Sequence, residues 1–341
     1  MSMAERPSPL TGIGLKVAAV TVFIAMAACV KAAQLDGGVP GSNGGVPGPN
    51  GVGEGVPAGQ AVFGRSFFAL PVVIVWLWLR HDLATGLRTA NPWGHAWRGA
   101  VGSAAMLMGF GALGLLPLPQ VTAIGYAMPV FTLVLAVLFL REPIRLFRTL
   151  AVALGVAGVA IVAWPDLVAR PEGSAAVRFW GTVLALGGAL LGGVAQVIIR
   201  RLVETEDAAA IVFYFQLSAA LFGLATLPLG ALDLGLQPWS WPTAGQWALL
   251  VAAGALGSVG QILHTSAYRF APASVIAPFE YASILLAILI GYTLFAEVPE
   301  RTTLLGAAIV TGAGILIIWR EGRLGIRRGR ARAAKSPAGT P

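Results

Sequence analysis

Cysteine, histidine and charge are scarce in this chain, and each scarcity excludes something. The single Cys29 rules out an internal disulfide framework and a cysteine-built zinc cluster. The three histidines, His81, His95 and His264, share no metal-ligand spacing, and no glycine-rich loop precedes a Lys-Ser or Lys-Thr pair. No metal, no cofactor and no ATP-driven work within the chain are expected, and the lack of clustered acid and base residues speaks against an enzyme. Charged residues fill only 11% of 341 positions while hydrophobic ones fill 57%, giving a mean hydropathy of +0.78. A soluble domain of this size does not have that composition, so the chain reads as an all-α, polytopic membrane protein.

What the chain has in abundance is long apolar runs. Stretches of roughly 18 to 23 residues, at about 1.5 Å per residue, cross a hydrocarbon core of about 30 Å. Ten can be placed, near residues 12–33, 59–79, 99–117, 119–140, 147–164, 178–199, 209–229, 246–268, 272–295 and 303–320. The formal charge is +8, but the positive residues sit mostly in short connections and in the tail. That placement favours lipid headgroups and topology over nucleic acid. With the N-terminus inside, 18 Lys and Arg residues fall on the cytoplasmic side, Lys16 and Arg98 among them, against Lys31, Arg170, Arg178 and Arg301 outside. Both termini are therefore expected in the cytoplasm, with the chain in a bacterial-type inner membrane.

The apolar runs are also written twice. Tyr126, Ala127, Glu142, Leu150, Ala153 and Trp164 recur 155 positions later as Tyr281, Ala282, Glu297, Leu305, Ala308 and Trp319. A unit with an odd number of spans, repeated in one chain, must insert upside down the second time. Loop charge agrees: Arg141, Arg145 and Arg148 follow the fourth span, whereas Glu297, Glu300 and Arg301 follow the ninth. The expected architecture is two inverted five-helix repeats, 12–164 and 178–320, after a cytoplasmic N-terminus at 1–11. Residues 35–58 are Gly/Pro-rich and read as a disordered external loop, and the basic tail 321–341 as a disordered cytoplasmic segment near anionic lipid. The first run, ending in Met26-Ala27-Ala28-Cys29, also resembles a cleavable signal peptide. Its removal would leave the first unit with four spans, so retention is the preferred reading.

Ionisable groups inside a span cost roughly 2.5–3.5 kcal/mol on insertion scales, so each calls for a partner or a function. Glu280 lies about eight residues into the ninth span, roughly 12 Å deep by helix rise, and is a candidate for a proton or a substrate amine. The alternative is a structural carboxylate satisfied by a neighbour. Arg65 lies about six residues into the second span, roughly 9 Å deep. It has three readings: a fork for a substrate carboxylate, a partner for Glu280, or a side chain snorkelling outward. Gln261, His264, Thr265 and Tyr268 form one polar stripe on the eighth span, continued by Gly257 and Gly254. Gln196 in the sixth span, with Gln120, Thr122 and Tyr126 in the fourth, are weaker cavity candidates, and Tyr281 adjoins Glu280. Pro129 and Pro278 each weaken a helix near these positions, a recurring device around carrier sites. Gly188 and Gly192 read as close helix packing, and Glu142 and Glu297 as anchors at helix ends.

These residues resemble the drug/metabolite transporter superfamily, in its EamA-type, ten-span branch. The resemblance rests on the two five-helix units, Phe63-Gly64-Arg65-Ser66, Pro129-Val130-Phe131, and Leu140-Arg141-Glu142-Pro143 answering Phe295-Ala296-Glu297-Val298. It implies a substrate cavity between the halves and alternating access. The expectation is a secondary transporter of a small polar or zwitterionic metabolite, with or without proton coupling, acting as monomer or homodimer. Glu280, Arg65, Gln261, Tyr281 and Tyr126 are expected along the path. The competing readings are an exporter of hydrophobic cationic drugs, which would tolerate loss of Arg65, and a lipid-carrier flippase, which the sparse outer charge disfavours.

Overall fold

The structure of the protein, a computed structural model, describes residues 9–35, 55–79, 86–140, 146–230, 238–270 and 277–316. Every regular element among them is helical. In chain order they are α1 (Pro9–Gln34), α2 (Ala58–Leu79), α3 (Pro92–Leu115), α4 (Leu118–Gly125), α5 (Ala127–Leu140), α6 (Leu146–Val168), α7 (Ser174–Leu202), α8 (Ala208–Leu224), α9 (Thr226–Gly230) and α10 (Ala244–Phe270). A short 3-10 turn (Ala277–Tyr281), α11 (Ala282–Phe295) and α12 (Arg301–Leu316) follow. Six segments are long and apolar enough to cross a membrane by themselves. Within the described residues all ten expected spans coincide with helix, the fourth being α4 plus α5, the seventh α8 plus α9, and the ninth the 3-10 turn plus α11. The chain is an all-α, multi-pass membrane protein built from two inverted five-helix repeats.

The packing shows the repeat directly. α1 lies along α10, and α3 lies along α7, which is the same pairing with the halves exchanged. Likewise α2 on α10 is answered by α8 on α3, and α1 on α11 by α7 on α5, while α2 and α8 face one another at the centre. Lipid offers no hydrophobic drive for helices to associate, so the interior relies on small residues that let backbones approach. The buried core is accordingly rich in alanine, including Ala28, Ala33, Ala61, Ala69, Ala219, Ala253 and Ala287. A Cβ at Gly188 would lie 3.2 Å from the Ala105 carbonyl oxygen, which is why α7 needs glycine where it meets α3. Bulky apolar side chains such as Leu285, Leu289, Leu305 and Val75 point outward. Exposed Trp78, Trp93 and Trp97 ring one end of the bundle, and Trp164, Trp180 and Trp241 the other, the placement expected of membrane interfaces.

Several expectations need correction. Lys16, Lys31 and Arg98 are not loop charges: the first two lie within α1 and the third within α3, and the loop-charge bias survives without them. The third span was expected from residue 99, but α3 starts at Pro92. There Asn91 caps the helix by accepting the Gly94 amide at 2.9 Å, and Pro92 sits at the first helical position, where its missing N–H is harmless. Of the 35–58 loop, residues 36–54 lie outside the described residues. Its end is ordered, with Val56 buried and its amide bonded to the Ala33 carbonyl at 2.9 Å. Residues 321–341, Glu142 and residues 271–276 also lie outside the described residues.

Candidate functional site

Most buried polar contacts run between the two repeats, and they begin at the two helix breaks. The fourth span breaks at Tyr126, between α4 and α5, and the ninth at Tyr281, where the 3-10 turn meets α11. These are the residues the 155-position offset pairs. In space the two rings lie 5.2 Å apart, and the Tyr126 hydroxyl reaches the Ser283 hydroxyl at 2.5 Å and the Tyr281 carbonyl at 3.4 Å. Pro129 lies in the first turn of α5 and Pro278 in the 3-10 turn, so each proline sits beside the interruption it was expected to cause.

Glu280 belongs to the 3-10 turn, and its carboxylate meets Lys16 at 3.4 Å. Lys16 is fully buried, while the Glu280 side chain is 53% exposed. The Lys16 ammonium also lies 3.1 Å from His264 Nδ1, so α1, α10 and the ninth span meet in one Lys-Glu-His group. His264 packs edge-on against Phe23 of α1, which turns this member of the polar stripe toward α1. Gln261 is half-buried one turn before His264, and the side chains of Thr265 and Tyr268 lie outside the described residues. Gln196 is exposed on α7 and does not join the others. Gln120 is spoken for structurally, donating to Asp166 Oδ2 at 2.6 Å, and the Thr122 hydroxyl donates to the Leu118 carbonyl of its own helix at 2.8 Å.

Arg65 neither snorkels nor pairs with Glu280. It is 5% exposed and points into the bundle, where Nη1 donates to Gln216 Oε1 of α8 at 3.1 Å and to Met106 Sδ of α3 at 3.4 Å. A Cβ at Gly257 of α10 would come within 2.8 Å of its Nη2, so glycine makes room for the guanidinium. Arg98 climbs α3 toward the same level and stacks 4.0 Å over the Phe215 ring. At the far end of α1, Lys31 binds Glu297 at 2.7 Å and donates to the Leu113 and Leu116 carbonyls. The second Glu297 oxygen accepts the Leu118 amide, satisfying the start of α4. Both ends of α1 are thus tied to the ninth span.

On the opposite side, Glu206 lies in the connection between α7 and α8 and accepts the amides of Ala90 and Asn91, each at 2.8 Å, and His95 Nε2 at 3.2 Å. Burial alone would push this carboxyl up. The bonds from His95, the two amides and Thr89 outweigh it and hold Glu206 below its ordinary value.

A family profile described as the EamA-like transporter family matches residues 50–164 and again 179–319. The chain belongs to that family. In this EamA-like transporter the profile matches once per repeat, and each match ends at the fifth span of its half. The S-adenosylmethionine uptake transporter of Rickettsia felis is 28% identical over 263 residues, covering 77% of this chain and 83% of the relative. The riboflavin transporter of Rhizobium johnstonii is 30% identical over 272 residues, covering 78% and 83%. Mouse solute carrier family 35 member G1 is 29% identical over 228 residues, covering 64% and 60%. A solved crystal structure, 18% identical, covers 90% of this chain and 96% of its own with a TM-score of 0.57, which shows the shared fold.

Sequence reasoning missed the basic partners in this EamA-like transporter. Lys16 and Lys31 fall inside the expected 12–33 span yet were counted with the topology charges, and Arg98 sits one residue before the expected third span. The Asn91-Pro92 pair was the available signal for Arg98, because a cap residue followed by proline marks a helix start well before the apolar run.

Proposed function

We propose that this protein is a secondary transporter of a small polar or zwitterionic metabolite, working by alternating access in an inner membrane with both termini cytoplasmic. One observation carries the reading. Lys16 of the first repeat meets Glu280 and His264 of the second beside the break in the ninth span, and Arg65 of the first repeat meets Gln216 of the second inside the bundle. A group held between two rocking halves changes its surroundings when they move, and a ligand that binds one state better shifts the equilibrium toward it. Glu280 would bind a proton or a substrate amine, with Lys16 and His264 as the groups that exchange partners when it does so. Arg65 would bind a substrate carboxylate, and Gln261, Tyr281 and Tyr126 would line the path. The relatives named as S-adenosylmethionine and riboflavin transporters support a metabolite over a hydrophobic cationic drug. The loop-charge bias supports the orientation, and a reporter fused after Arg320 should read as cytoplasmic.

The test is uptake and efflux in vesicles with labelled amino acids, amines, nucleosides, S-adenosylmethionine and riboflavin at two pH values. The wild-type protein should move at least one of them saturably, and Glu280→Gln should lose most of the flux or its pH response. Unchanged transport and pH response in Glu280→Gln would overturn the role of this carboxylate.

A further inference from the structure

Basic side chains that meet other groups in this bundle fall into two sets. Lys16 has Glu280, Lys31 has Glu297, His95 has Glu206, and Arg178 has Asp166 and Glu300. Arg65 and Arg98 have no carboxylate among the described residues. Arg65 spends one nitrogen on the neutral Gln216 amide oxygen and a thioether, leaving its buried Nε without a partner. Arg98 rests on an aromatic face, and its buried Nε and Nη1 have no hydrogen-bond partner either. Buried donors are almost always satisfied, so three orphaned guanidinium nitrogens need a reason.

The two arginines are neighbours. On α3, Arg98, Gly102 and Met106 follow one another at four-residue steps on one face. Arg98 Nη1 lies against Gly102, and Arg65 arrives from α2 at Met106, the next turn along. On α8 they touch consecutive residues, Phe215 for Arg98 and Gln216 for Arg65. In a low-dielectric interior two neighbouring positive charges are unfavourable unless a negative group joins them.

We propose that Arg65 and Arg98 form one binding site for an oxyanion group of the transported solute, held between α2, α3 and α8. Guanidinium groups offer planar, parallel N–H pairs that match carboxylate and phosphate oxygens, and the orphaned nitrogens are the donors that would be used. The inference rests on the transporter reading and deepens it: the solute must carry a negative oxygen group, which a hydrophobic cation lacks. Site residues come from both repeats, so anion binding would engage α2 and α3 of the first half and α8 of the second together.

The experiment follows thermal unfolding of the purified full-length protein in detergent, using its own tryptophan fluorescence, during titration with sodium acetate, succinate or phosphate against chloride at equal ionic strength. At least one oxyanion should raise the midpoint saturably above chloride. Arg98→Gln should weaken its apparent Kd at least tenfold, Arg65→Gln should abolish the shift, Arg98→Lys should retain part of it, and Arg178→Gln should bind like wild type. Whether acetate and succinate or phosphate acts identifies the class of oxyanion. The proposal is overturned if no oxyanion exceeds chloride in the wild-type protein, or if folded Arg98→Gln binds as the wild type does. Arg98 decides the question even if Arg65→Gln fails to fold. Anion binding without transport in vesicles would count against the carrier reading and leave this site standing.

Discussion

Lys31 and Glu297 illustrate what a single buried charge requires inside a membrane. The ammonium satisfies two carbonyls at the end of α3, and the carboxylate satisfies the first amide of α4, so the pair closes a hairpin as well as neutralising itself. Removing one partner of a buried pair leaves the other uncompensated, a loss of about 3–5 kcal/mol, whereas removing both is much milder. Lys31→Met should therefore destabilise strongly in a denaturant titration in detergent, and Lys31→Met/Glu297→Gln should recover part of the loss. Equal stability of Lys31→Met and wild type would show that the bridge is dispensable. Lys16 and Glu280 differ in kind, because there the carboxylate is half in the open.

At the scale of elements, chain signals were read well where they were long and poorly where they were local. The ten apolar runs and their order were legible because a span needs about 20 apolar residues, a demand that leaves few alternatives. The breaks in the fourth and ninth spans were legible through Pro129 and Pro278. The start of α3 was not, since that helix begins seven residues before its expected run, in a stretch holding His95 and Arg98 that hydropathy weighs against. The start of α3 is built from such local chemistry: the Asn91 cap, Pro92, and Glu206 reaching across from the α7–α8 connection. Glu206 is held below its ordinary value near 4.5, so its contribution to stability is fully present above that pH. That contribution is lost as pH falls through the depressed folded value. Melting temperature measured from neutral to acid pH should therefore fall less steeply below that point in Glu206→Gln than in wild type. Parallel acid profiles would mean that Glu206 does not hold the helix start.

For the molecule as a whole, the repeat and the chemistry separate. The scaffold obeys the two-fold exchange, down to Tyr126 meeting Tyr281, and that much was visible in the 155-position offset. The charged groups do not obey it: the counterpart of Glu280 is Gly125, and that of Arg65, 150 positions on, is Phe215. Their partners could not be read from the sequence because each contact joins residues far apart in the chain, 264 positions for Lys16 and Glu280, and 151 for Arg65 and Gln216. Symmetric halves carrying an asymmetric site suit a carrier, in which the frame rocks between equivalent shapes while one ligand site serves both. The measurement that tests this most directly is counterflow in proteoliposomes, using the solute that the vesicle panel identifies. Preloading with unlabelled solute should accelerate entry of the labelled form and drive its transient accumulation, because a single alternating site returns faster when loaded. Flux that is indifferent to preloading and rises linearly with concentration would contradict the account.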